Sequence, residues 1–156
     1  MQRMIVFLAG LLLGGGLVAA IPAGRAHDDL TGARSNPENH PLLVHMTTAD
    51  LWRGATGLEF AQSMRKLGHP VAVFLNLDAV KLADRSAVQE KRRSMTQIPR
   101  DVIAELIRDG AIVLLCAPCL DEFGLKLDQI VPGVQIGRPG YLENFVFADN
   151  VRTLTW

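Results

Sequence analysis

Ala111-Ile112-Val113-Leu114-Leu115-Cys116-Ala117-Pro118-Cys119-Leu120 reads as a strand that runs directly into a helix. Its first five residues are all apolar, too few for a buried helix and without polar alternation, which predicts a strand covered on both faces. Pro118 suits a first helical position, so Cys116 falls near the N-cap of a short helix through Leu120 and Phe123 to Gly124. The strand is entered from Gly110, which closes an amphipathic helix carrying Ile98, Val102, Ile103, Leu106 and Ile107.

Upstream the same alternation recurs. Leu42 to Met46 is a short apolar strand followed by Thr47-Thr48-Ala49-Asp50, and Leu51, Leu58, Phe60, Ala61, Met64 and Leu67 then recur at helical spacing up to Gly68. Val71 to Leu77 is a second buried strand entered through Pro70, its end capped by Asp78 to Leu82, completing a βαβ unit. Ala83 to Gln97 has few large apolar residues and carries Lys91, Arg92 and Arg93. It reads as a mobile loop with a solvated charged face, or alternatively a lid for an anionic partner. Downstream, an apolar run from Gln129 to Ile136 is interrupted by Pro132-Gly133. A helix through Leu142, Phe145 and Val146 precedes a last strand near Val151 to Leu154. Alternating strands and helices predict an α/β fold: a mostly parallel sheet of about five strands between two helical layers, with chemistry beyond the carboxyl ends of the strands.

Met1 to Ala26 differs from the rest. Arg3 leads an apolar stretch from Met4 to Ile21, which ends in Ala23-Gly24-Arg25-Ala26. Short basic lead, glycines and small-residue exit predict a cleaved secretory signal over 1–26 rather than a retained anchor, and hence a periplasmic or otherwise exported protein with no membrane span after cleavage. Residues 27–41 read as a flexible leader, and 42–156 as one α/β domain. Without Arg3 and Arg25 the 16 basic residues become 14 against 16 acidic ones, a net charge of −2, and nothing in this balance asks for nucleic acid.

The chain has two cysteines, three positions apart, so they cannot staple distant segments. Thiolate is the reactive form of cysteine, and a helix N-terminus favours it, which makes Cys116, with Cys119 beside it, the candidate catalytic pair. Packing of two small apolar side chains, a passive local disulfide, or half of a metal site are the competing readings. No cofactor or metal ion is expected: His40, His45 and His69 are scattered and read as ordinary surface or core histidines. His27 would offer copper an amine and an imidazole only if it became N-terminal.

Two families carry comparable cysteine pairs. Thioredoxin-like proteins usually place a Trp before theirs and set it early in the fold, whereas here Leu115 precedes it and 37 residues follow Cys119. Val113-Leu114-Leu115-Cys116 with Gly124 eight residues on, then Gly133-Val134-Gln135-Ile136-Gly137, then Ala148-Asp149-Asn150-Val151-Arg152-Thr153-Leu154, resembles the DsrE/DsrF-like family, which includes sulfur-relay subunits. The resemblance covers about 42–156 and is specific in the C-terminal half. Phe123 departs from it, since relatives often have Arg before the glycine, as does the export signal. It implies a flavodoxin-like, DsrE-like fold and a homo-oligomer, trimer or hexamer. It further implies a Cys116 that accepts sulfane sulfur as a persulfide and exchanges it with a sulfur donor or acceptor protein. A thiol–disulfide oxidoreductase or redox sensor using Cys116 and Cys119, and a binding module without turnover, are the alternatives.

Overall fold

The computed structural model describes residues 39–156; the expected secretory signal and nearly all of the expected leader lie outside the described residues. Five strands, β1 (Leu42–Met46), β2 (Val71–Leu75), β3 (Ile112–Leu115), β4 (Gln135–Ile136) and β5 (Arg152–Thr155), form one sheet in the order 4-3-2-1-5, every neighbouring pair parallel. Helix α1 (Leu51–Lys66) joins β1 to β2, α2 (Pro99–Arg108) precedes β3, α3 (Ala117–Glu122) follows it, and α4 (Tyr141–Val146) precedes β5.

The chain steps in one direction across the sheet from β1 to β4 and then jumps to the opposite edge for β5. Right-handed crossovers place the earlier helices on one face and α4 on the other. Burial follows that division. Leu42, Val44 and Met46 of β1, Val71, Val73 and Leu75 of β2, and Val113 and Leu115 of β3 pack with Leu58, Ala61, Val102, Ile103 and Leu106 of α1 and α2 in one apolar core. On the opposite face Leu43, Ala72 and Leu114 are buried, whereas His45, Phe74 and Ile112 remain half-buried, because the six residues of α4 make a thin cover and none of them is fully buried.

Two expectations are corrected. The second strand stops at Leu75, and Leu77 turns the chain with φ 50°, a left-handed conformation uncommon for a non-glycine residue, into a 3₁₀ helix spanning Leu77–Ala83. The segment read as a mobile loop is irregular but tied down. Met95 and Gln89 are buried, Gln89 Nε2 donates to Leu82 O at 2.9 Å, and Arg100 Nη1 donates to Arg85 O and Ala87 O, each at 2.9 Å. Thr96 adds two hydrogen bonds to Glu59 Oε1. The run Gln129–Ile136 is interrupted at Pro132-Gly133 as expected, Gly133 turning at positive φ, and its last two residues join the sheet as β4.

Candidate functional site

β3 delivers Cys116 to the carboxyl edge of the sheet. The Cys116 N–H continues the β2–β3 ladder by donating to Leu75 O at 3.0 Å, and its carbonyl accepts the first helical hydrogen bond of α3 from Leu120 N at 3.2 Å. Cys116 is thus the N-cap of α3, with Pro118 in the first turn, as expected. Its side chain, however, accepts no capping hydrogen bond, and α3 is only six residues long. The thiolate stabilisation expected at Cys116 from helix N–H groups is absent from the described contacts.

One turn on, Cys119 points back. Its sulfur is joined to that of Cys116 in a disulfide, with the Cα atoms 5.3 Å apart. The two residues differ in access: Cys116 is half-buried, whereas Cys119 keeps 9% of its surface. Cys116 opens into a cleft of about 340 Å³ lined also by Phe74, Gly137, Arg138, Leu142 and Glu143. Arg138 forms no ion pair among the described residues, while the Glu143 carboxylate accepts from Gly140 N at 2.8 Å. Cys119 lies on a second cleft, of about 280 Å³, with Leu77, Asp78, Pro118, Glu122 and Phe123. There Lys81 pairs with Asp78 at 2.7 Å and sits 3.6 Å from the centre of the Phe123 ring. Phe123, the residue before Gly124, therefore receives a cation on its ring.

Behind Cys119 lies a polar chain that sequence reasoning missed. Asn76, the residue after β2, places Oδ1 3.2 Å from Cys119 Sγ. The same oxygen accepts from Leu77 N at 2.9 Å, and Leu77 N also points at Cys119 Sγ, at 3.3 Å. With Oδ1 so occupied, the amide nitrogen Nδ2 is the atom that meets His45 Nε2, at 3.1 Å. That ring nitrogen must accept, so His45 is neutral with its proton on Nδ1. Burial also lowers its pKa from the usual 6.5, and the ring stacks on Phe74 at 5.5 Å. The only sequence signal for this chain was a polar Asn interrupting the apolar run after β2. His45, by contrast, looked like any strand histidine, because its partner is 31 residues away.

Among the described residues no three His, Cys, Asp or Glu side chains gather as a metal would require, and no helix is long and apolar enough to cross a membrane. The copper reading at His27 lies outside the described residues.

Comparison with known proteins places this arrangement. An uncharacterised protein of Methanopyrus kandleri, MK0008, is 30% identical over 102 residues, which span 64% of this chain and 79% of that protein. The fold is shared with the YchN protein of E. coli (TM-score 0.61, 22% identity, 74% of this chain and 98% of that one). It is shared as well with BT1422 of Bacteroides thetaiotaomicron, a conserved protein of unknown function (0.57, 19%, 76% and 96%). MTH1491 of Methanobacterium thermoautotrophicum, also of unknown function, has the same fold (0.56, 14%, 75% and 99%). Residues 42–151, from the first strand to the threshold of the last, match the DsrE/DsrF-like family, and the chain belongs to that family.

Proposed function

We propose that this protein carries sulfane sulfur as a persulfide on Cys116 and passes it to a partner protein. Family membership supports a role of the sulfur-relay type. The observation that carries the finer reading is the asymmetry of the pair: Cys116 is half-buried on a cleft beside Arg138, which forms no ion pair among the described residues, and Cys119 keeps 9% of its surface. In the reduced protein the Cys116 thiolate attacks the outer sulfur of a donor R–S–SH. The bond between R–S and that sulfur breaks, R–S⁻ leaves, and Cys116–S–SH forms. An acceptor thiolate then attacks the same outer sulfur, takes it as R′–S–SH, and releases Cys116 as a thiolate. Arg138 favours an anionic donor or acceptor group at the cleft. The apolar stretch in Met1–Ala26 supports export, and the thinly covered second face supports assembly with further copies of the chain.

A second reading, thiol–disulfide exchange, is favoured by one observation, the Cys116–Cys119 disulfide itself. Intact mass spectrometry of the protein, reduced and then incubated with polysulfide, separates them. Sulfur carriage predicts a reducible gain of about 32 Da per sulfur atom, lost in Cys116→Ser and retained in Cys119→Ser. Thiol–disulfide exchange predicts instead a loss of about 2 Da with no sulfur adduct, and a stalled mixed disulfide in Cys119→Ser.

A further inference from the structure

Asn76 and His45 belong to neither step above, yet they lie against the buried cysteine. We propose that Asn76, oriented by His45, holds Cys119 in its protonated form, and so delays the attack of Cys119 on sulfur carried by Cys116. The inference rests on the persulfide reading of that cysteine.

The geometry carries it as follows. Once the disulfide is reduced, Cys119 Sγ lies 3.2 Å from an oxygen, which welcomes an S–H proton and repels a thiolate. Asn76 cannot turn its amide to present Nδ2 instead without breaking two bonds: Leu77 N–H to Oδ1 and Nδ2 to His45 Nε2. The Leu77 N–H holds the oxygen towards sulfur, and His45 in the tautomer protonated on Nδ1 reinforces it by accepting from Nδ2, a role that imidazolium, disfavoured by burial, could not fill. His45 itself faces Phe74 and Asn76 from the β2 side and lies in register with Thr155 of β5.

Charges around the two sulfurs act in the same direction. The Cys119 cleft holds Glu122 and the Asp78 carboxylate, the latter muted by Lys81, whereas the Cys116 cleft holds Arg138, with Glu143 tied to Gly140 N. Burial adds to the bias against a Cys119 thiolate. The opposing contact is Leu77 N–H, which stabilises a thiolate at 3.3 Å but is shared with the nearer Asn76 oxygen. An oxygen acceptor, burial and a carboxylate outweigh one shared donor.

The consequence is a partition. A persulfide on Cys116 either goes to an acceptor or is resolved by its neighbour: Cys116–S–S⁻ and Cys119–SH give the Cys116–Cys119 disulfide and HS⁻, the thiol proton leaving on the sulfide. The attacking species is the thiolate, so withholding it lengthens the life of the carried sulfur.

The test is pH-dependent alkylation of the reduced protein, with each cysteine read by peptide mass spectrometry. Wild type should show a Cys119 midpoint above that of Cys116. A hydrogen bond of ordinary strength corresponds to about one pH unit, so Asn76→Ala should lower the Cys119 midpoint by about that much. His45→Phe, which keeps the ring stack but removes the acceptor, should lower it in the same direction and leaves the turn at Leu77 its Asn76 cap. Sulfide release from polysulfide-loaded protein should rise by up to about tenfold in both. A Cys119 midpoint at or below that of Cys116, or one unmoved in both variants, overturns the inference whatever is loaded. Absence of any sulfur adduct on wild type overturns instead the reading on which it rests, because the midpoints are measured without sulfur.

Discussion

At the scale of single residues the site is built from polar atoms that the apolar strands bring to their ends. Asn76 carries three demands at once: a backbone donor, a histidine nitrogen and a sulfur. Leu77 holds a left-handed conformation that costs about 1–3 kcal/mol and aims its N–H at both Asn76 and Cys119, a strained backbone beside the proposed chemistry. His45 offers a prediction of its own. Its folded pKa lies below the usual 6.5, so as pH falls through that value the unfolded chain takes up a proton that the folded chain refuses. Stability should therefore be insensitive to His45 above this window and decline as pH drops through it. Urea unfolding at about pH 7.5 and about pH 5.5 should show the midpoint falling in wild type and falling less in His45→Gln. Asp50, held down by the Arg53 backbone N–H, and Glu105, held down by the Gln97 side chain, act in a separate and more acidic window.

Elements were legible in proportion to their apolar periodicity. The β1, α1, β2, α2 and β3 assignments rested on runs such as Ile112–Leu115 and on stops such as Gly68 and Gly110, both at positive φ. The stop after Leu75 was not legible, because Leu77 is apolar and only its backbone conformation and solvent exposure of 56% remove it from the strand. The tether of the 83–97 segment was equally hidden, since Gln89, Thr96 and Arg100 find partners through tertiary hydrogen bonds rather than local pattern. Packing of β5 onto α1 depends on a glycine: a Cβ at Gly57 would stand 2.8 Å from Trp156 Cγ and 3.0 Å from Met46 Sδ. Gly57→Ala should destabilise the domain by about 1–3 kcal/mol through overpacking. Trp156, which stacks on Phe60, should report it as a change in tryptophan emission, whereas unchanged emission and stability would show that the terminal strand simply shifts.

For the whole molecule, the strand order leaves one face of the sheet under six residues of α4, with Phe147 beyond it 84% exposed, and leaves β5 at an edge with Leu154 39% exposed. Apolar surface of this kind favours assembly. Light scattering coupled to size exclusion should give a mass that is a multiple of the protomer's, and Phe147→Asp should lower it without altering the far-ultraviolet circular dichroism. A wild-type protein that elutes as a monomer at micromolar concentration would remove the homo-oligomer from the proposed function.

The layered α/β architecture, the apolar faces of the strands and the position of Cys116 at the end of an interior strand are all readable from the order of residues. These follow from side-chain periodicity and from the short range of turn and cap chemistry. That order also brought Cys116 and Cys119 together, since one helical turn is enough. Long-range packing, in contrast, sets which cysteine receives an N–H (Cys119, not Cys116), puts Arg138 on the Cys116 cleft and stands His45 behind Asn76. Those relations join residues from 22 (Cys116 and Arg138) to 42 (Leu77 and Cys119) positions apart across neighbouring strand ends. They depend on sheet order and on one left-handed residue, neither of which leaves a periodic trace in the chain.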